Sequence, residues 1–148
     1  MTATAPAPTR SQLAAAGRRF GYFLGAAANL AMLYIANHLL EWGWLPWLTD
    51  SFDDVLPLRS LSLVVTMLWN IAWIAYDAAW FKSVGNIVQS LFSIAVTIRL
   101  LQVFPFDLSA YDFNWEVVTR GVLIVALVGV SIGIVAEAAK LLRRARAP

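Results

Sequence analysis

The sequence has no cysteine, a single histidine and little charge. Only 14% of its 148 residues are Asp, Glu, Lys or Arg, against about 25% in an ordinary soluble domain. The missing cysteines exclude disulfides, thiolate metal ligands and thiol nucleophiles, and one histidine excludes a multi-histidine metal or haem site within one chain. Phosphate-loop and hydrolase motifs are also missing. We therefore expect no cofactor, no metal ion and no enzymatic activity.

Apolar residues make up 60% of the chain and are concentrated in long blocks. Four blocks approach or exceed the roughly 20 helical residues that cross about 30 Å of hydrocarbon. Because backbone polar groups in hydrocarbon must pair within their own segment, each block predicts a helix. The sequence thus predicts an all-α polytopic membrane protein, a bundle of four antiparallel transmembrane helices without β-sheet, at about 21–40, 58–81, 84–104 and 117–141.

These helices define one predicted domain over residues 17–142. The preceding residues 1–16 are rich in Ala, Pro and Thr and are expected to form a disordered cytoplasmic tail. Residues 143–148 are expected to form a basic cytoplasmic tail. Lys82 and Ser83 leave almost no loop between the second and third blocks, which predicts a tight antiparallel hairpin.

The scarce charges are segregated along the chain. Basic residues flank the termini and the short second loop, at Arg10, Arg18, Arg19, Lys82, Lys140, Arg143, Arg144 and Arg146. Acidic residues occupy the other two loops, at Glu41, Asp50, Asp53, Asp54, Asp107, Asp112 and Glu116. The positive-inside rule then predicts cytoplasmic termini in the cytoplasmic or inner membrane. We expect the basic flanks to contact anionic lipid headgroups and not nucleic acid.

Aromatic residues are concentrated in the same two acidic loops. They are Trp42, Trp44, Trp47, Phe104, Phe106, Tyr111, Phe113 and Trp115. Trp and Tyr side chains favour the headgroup level of a bilayer, so these loops are expected to lie on the membrane surface. A surface that docks a protein partner is the alternative, since aromatic residues are also enriched at interfaces.

Two of the predicted helices carry a polar stripe. At 100° per residue, the stripe on the second helix comprises Arg59, Thr66, Asn70 and Asp77, and the stripe on the third comprises Asn86, Ser90, Ser93 and Thr97. The simpler interpretation is a dry polar seam that holds these helices together. The alternative is a solute or proton pathway in which Asp77 is the titrating group.

Two further groups of residues are candidates for a specific role. An outer cluster is predicted from Tyr34, His38, Glu41, Arg99 and Glu116. An arginine at the centre of a membrane helix costs about 2.5–3.5 kcal/mol, so Arg99 is expected to pair with Glu41 or Glu116. A GxxxG pattern in the fourth helix predicts a packing face, used within the chain or in a homo-oligomer, formed by Ala126, Gly129, Gly133 and Ala136.

Two functions remain open at this stage. The first is a non-enzymatic accessory or scaffold subunit that acts through helix packing, with a membrane protein or a second copy as its partner. The second is an oligomeric ion or small-solute transporter that uses the polar stripe of Thr66, Asn70 and Asp77. A water-filled cavity that reaches Asp77 favours transport, whereas a dry hydrogen-bonded seam favours the scaffold.

Overall fold

Four long helices account for most of the chain in the computed structural model, which describes residues 9–146. They are α1 (Arg10–Trp42), α2 (Leu56–Ala75), α3 (Ala79–Val103) and α4 (Trp115–Arg146), with a short 3-10 helix at Asp50–Asp54 before α2. All four are long and apolar enough to cross a membrane. Residues 9–146 contain no β-sheet, only an isolated bridge between Leu48 and Phe106. The predicted all-α, four-helix fold is confirmed.

The terminal helices are longer than predicted. Helix α1 begins at Arg10, so residues 10–16 are helical and not a disordered tail. The reason is a capping box: the Thr9 side chain accepts from the Gln12 backbone N–H, and the Gln12 side chain accepts from the Thr9 backbone N–H. Helix α4 likewise continues to Arg146, through most of the predicted basic tail. Residues 1–8 and 147–148, the rest of the two predicted tails, lie outside the described residues.

The predicted hairpin between α2 and α3 exists, but its turn lies earlier in the chain. Helix α2 ends at Ala75 and α3 begins at Ala79, so Lys82 and Ser83 belong to the first turns of α3. The backbone becomes extended at Tyr76, with φ −135° and ψ 94°. Hydropathy did not locate this turn, because Asp77 is the one charged residue between Arg59 and Lys82 and interrupts a block that is otherwise mostly apolar and aromatic.

The helices pack in chain order: α1 against α2, α2 against α3, and α3 against α4. Close approach occurs where glycine faces a large side chain. A Cβ added at Gly85 would lie 2.7 Å from Cζ2 of Trp73 and 2.8 Å from Cε3 of Trp69. A Cβ at Gly25 would lie 2.6 Å from Oδ1 of Asn70. Helix α4 has no buried residue, so it is held along one side only.

The two ends of the molecule differ in charge and in construction. At the acidic end, the α1–α2 and α3–α4 loops are joined by backbone hydrogen bonds from Thr49 N–H to the Pro105 carbonyl (3.0 Å) and from Asp107 N–H to the Trp47 carbonyl (2.8 Å). At the basic end, Arg144 Nη1 of α4 donates to the Ala79 carbonyl at the start of α3 (2.7 Å). The cytoplasmic location of the basic end remains a prediction.

Replacing Gly85 with alanine is expected to destabilise the fold by about 1–3 kcal/mol, because the new methyl group would overlap two indole rings. The measurement is the thermal midpoint in detergent micelles. The matched control is Gly121→Ala in α4, where nothing lies within 4 Å of the added Cβ. The control should be neutral or slightly stabilising. Equal thermal midpoints for the two variants would contradict the packing described for α2 and α3.

Candidate functional site: a polar cleft among the four helices

A cavity of about 810 Å³ lies among the four helices, and every helix contributes to its lining. Helix α1 packs on α2 and α4 packs on α3, while α1 and α4 are not a closely packed pair among the described helices. The polar sides of α2 and α3 therefore face an open space, which is here called the polar cleft. Apolar surface on the outside of the helices remains free to contact hydrocarbon, as a membrane protein requires.

Six of the eight predicted stripe residues line the polar cleft. They are Arg59 and Thr66 on α2, and Asn86, Ser90, Ser93 and Thr97 on α3. The structure adds Asn29 from α1, Gln89 from α3 and Glu137 from α4. Residue periodicity within one helix could find the two stripes. Periodicity also places Gln89 on the flank of the α3 stripe, about 40° from Ser93. It could not find Asn29 or Glu137 as part of the cleft, because their position depends on how neighbouring helices are arranged.

The remaining two stripe residues are not in the cleft, which corrects the predicted pathway. Asn70 is buried against Gly25 at the α1–α2 contact, and its Nδ2 donates to the Thr66 carbonyl at 2.8 Å. Asp77 lies in the turn between α2 and α3, since α2 ends two residues earlier. The predicted stripe assumed that the second helix continues to residue 81, whereas α2 ends at Ala75.

Asp77 instead joins three parts of the basic end. Its carboxylate accepts hydrogen bonds from Arg18 Nε, Tyr22 Oη and Lys82 Nζ, each at 2.9 Å. The Lys82 ammonium, the Arg18 guanidinium and the Tyr22 hydroxyl, in that order of effect, hold the pKa of Asp77 well below its usual range. A carboxylate held ionised in this way anchors α1 to the α2–α3 turn and is unsuited to carry protons near neutral pH.

The hydroxyl groups in the cleft divide into two kinds. Thr66 Oγ1 donates to the Ser62 carbonyl at 2.9 Å, and Thr97 Oγ1 donates to the Ser93 carbonyl at 2.8 Å. These bonds lie within one helix and do not join α2 to α3. The side chain of Ser93 makes no hydrogen bond to any residue that the structure describes, and Gln89 Nε2 is buried without a partner there. The two stripes therefore do not form the hydrogen-bonded seam that the simpler interpretation predicted.

The predicted outer cluster is dispersed. Arg99 Nε donates to the backbone carbonyl of Asp54 at 3.3 Å, and no carboxylate within residues 9–146 pairs with it. Glu116 instead pairs with Arg120 at 3.0 Å, one helical turn away. Glu41 is exposed. The expected pairing of Arg99 with Glu41 or Glu116 is therefore wrong. The 3-10 helix before α2 places the Asp54 carbonyl, and not a carboxylate, within hydrogen-bond distance of Arg99.

Tyr34 and His38 from that cluster belong to a column of aromatic rings along α1. The Tyr34 and His38 ring centroids are 4.3 Å apart, and the His38 and Trp42 rings are stacked at 5.9 Å. The Nδ1–H of His38 donates to the Tyr34 carbonyl at 2.8 Å. This histidine is therefore held by its own helix and does not contact the polar cleft.

The small-residue face of α4 is exposed. Ala126, Gly129, Gly133 and Ala136 are all exposed, and an added Cβ at either glycine would meet nothing within 4 Å. This face was predicted to pack either within the chain or in a homo-oligomer. Within the described residues, no other helix packs against it. Gly133 also borders the polar cleft.

Replacing Asp77 with asparagine is expected to lower stability at pH 7 by about 1–2 kcal/mol, because charge-assisted hydrogen bonds are lost at a partly exposed site. The lowered pKa of Asp77 fixes the sign of the pH dependence. Its stabilising effect is complete above the usual aspartate pKa of about 3.9 and is lost as the pH falls towards the native value.

The difference in melting temperature between the native protein and Asp77→Asn should therefore shrink between pH 7 and pH 2. Asp112→Asn is the control, since Asp112 is an exposed aspartate at the acidic end. A pH-independent difference would show that the Asp77 carboxylate is not ionised in the native fold.

Comparison with protein-family models, with curated proteins and with solved structures finds no match to this chain.

Proposed function

We propose that the chain is a multi-pass membrane protein that carries a small polar solute along the polar cleft. One observation supports the proposal above all: polar side chains of α2 and α3 line an open cavity of about 810 Å³ and do not close on one another. A structural seam would use such side chains in hydrogen bonds between helices. Cavities of about 300–1,000 Å³ are typical of small-molecule sites.

The length of the cleft also supports transport. Its lining on α3 extends from Asn86 to Leu100, which is about 20 Å along a helix axis at 1.5 Å per residue. That distance is roughly two thirds of a 30 Å hydrocarbon layer. A surface pocket would need no such length, whereas a solute that crosses the bilayer needs polar groups over most of its thickness.

The positive-inside rule gives the proposed orientation. Arg18, Lys82 and Arg144 gather at the basic end. Arg18 and Lys82 bind Asp77 in the α2–α3 turn, and Arg144 binds the Ala79 carbonyl at the start of α3. We place this end in the cytoplasm of a cell whose cytoplasmic membrane holds the protein. Of the two charged residues that line the described part of the cleft, Glu137 lies towards this end and Arg59 lies towards the acidic end.

A cysteine placed in the cleft should make transport sensitive to a thiol reagent. The chain has no native cysteine, so Ser93→Cys supplies the only thiol. Proteoliposomes are tested for osmotic swelling with glycerol, urea and potassium acetate by stopped-flow light scattering, with valinomycin present in the acetate assay so that K⁺ accompanies the anion. We expect at least one solute to enter faster than in protein-free liposomes, and a methanethiosulfonate reagent to reduce that rate more than fivefold by filling the cleft.

Leu91→Cys is the matched control, because Leu91 is on the same helix about 3 Å away along the axis and is 54% exposed on the outside. The reagent should leave its rate unchanged. Swelling at the protein-free rate for all three solutes would count against transport. Equal inhibition of both variants would show that the solute does not pass Ser93.

A second candidate function, the accessory or scaffold subunit, is favoured by the small-residue face of α4. Glycines at positions 129 and 133 allow a neighbouring helix to approach closely, and no part of the described chain occupies that surface. A partner helix would cover it. The two functions are compatible, since a second copy that contacts α4 would also border the cleft at Gly133.

The scaffold function predicts that Gly129→Leu disrupts association in lipid. The oligomeric state is measured by single-molecule photobleaching in native-lipid nanodiscs, together with the stoichiometry of co-purified protein. The control is Val135→Leu, which adds bulk at an exposed position on another side of α4. A native protein that is monomeric and free of any stoichiometric partner would contradict this second function.

A further inference from the structure

We infer that the polar cleft binds an anionic oxygen group, a carboxylate or phosphate, and that Arg59 is the residue that holds it. The inference rests on the proposed function and names the class of solute that the cleft takes. It depends on the charges in the cleft, on which of them are already paired, and on the kind of hydrogen-bonding group left without a partner.

Arg59 and Glu137 are the charged residues that line the described part of the cleft, from opposite ends. Glu137 is neutralised by Lys140, whose Nζ lies 2.7 Å from its carboxylate. Arg59 has neither an ion pair nor a side-chain hydrogen bond within residues 9–146, although it is half-buried. The cleft therefore carries one uncompensated positive charge.

The other two arginines at the acidic end each have a hydrogen-bond acceptor within the protein. Arg99 donates to the Asp54 carbonyl at 3.3 Å. Arg120 pairs with Glu116 and lies 4.0 Å over the Phe104 ring. Arg59 is the exception, and it is also the one of the three that lines the cleft. A half-buried guanidinium without a partner is costly unless an anion accompanies it, and its planar fork matches a carboxylate or phosphate in two parallel hydrogen bonds.

The neutral groups of the cleft leave the choice of ligand to Arg59. Thr66 and Thr97 have already used their hydroxyl protons on backbone carbonyls. Gln89 Nε2 has no acceptor among the described residues, but this atom is buried beneath the cleft surface. Arg59 is therefore the donor that a bound group reaches, and it requires an acceptor, which an oxyanion supplies and a cation does not.

Such an oxyanion has two sources, a free anion from water or the phosphate of an anionic lipid. Both present the same oxygen atoms to Arg59. A lipid headgroup has an opening to the cleft between α1 and α4, because these two helices border the cleft and are not closely packed against each other. The experiment below therefore has one arm for each source.

The test compares the reactivity of Ser93→Cys with an anionic sulfonatoethyl and a cationic trimethylammonioethyl methanethiosulfonate, in phosphatidylcholine nanodiscs. Each rate is divided by that of the same reagent with free mercaptoethanol. We expect the anionic reagent to be favoured roughly three- to tenfold, the effect of one nearby charge in a partly aqueous site. Arg59→Gln should abolish this preference, and Arg59→Lys should retain it because the charge remains.

Arg99→Gln is the matched control, since it removes an arginine from the same end that does not line the cleft. It should leave the preference intact. In the source arms, inorganic phosphate should slow labelling if the anion is free, and phosphatidylglycerol in the nanodisc should slow it if the anion is a lipid. Arg59→Gln should remove either protection.

The anion proposal is overturned if the cationic reagent is favoured, if Arg59→Gln leaves the preference unchanged, or if neither anion slows labelling. These outcomes are separate from failure of transport. An anion preference without solute flux would support the anion site and reject transport. Flux of glycerol or urea without an anion preference would support transport and reject the anion site.

Discussion

The structure depends on one constraint, that polar groups within apolar helices must find partners away from hydrocarbon. The chain meets this constraint in two ways. Some polar side chains bond their own helix, as Thr66 and Thr97 do to carbonyls one turn earlier. Others face the space among the four helices. The second solution leaves a cavity, because the helices pack in chain order and do not close around their polar sides.

The basic end shows how so few charges can hold this arrangement. The Asp77 carboxylate receives three hydrogen bonds, from two residues of α1 and one of α3. It thereby fixes α1 to the α2–α3 turn, while the opposite end is joined through backbone hydrogen bonds between loops. The helices are held at both ends, and the middle of the molecule is left free to accommodate a cavity.

The sequence was sufficient to predict the four helices, since hydropathy acts within one helix, and six of the eight predicted stripe residues line the cleft. It misplaced the α2–α3 turn, because a single charged residue, Asp77, did not divide a block that is otherwise mostly apolar and aromatic. It also misassigned Arg99, whose partner is a backbone carbonyl at Asp54. Backbone acceptors and the contribution of Asn29 and Glu137 to the cleft depend on tertiary packing, which residue spacing does not contain.

The central claim is that one side of α3 faces a hydrated cleft and the other faces lipid. The most direct measurement is a nitroxide scan of residues 86–100 in nanodiscs, by electron paramagnetic resonance with a water-soluble nickel complex and with oxygen. The account predicts nickel accessibility that peaks at Asn86, Ser90, Ser93 and Thr97, and oxygen accessibility that peaks at Leu91 and Ile98. Uniformly low nickel accessibility along α3 would contradict it.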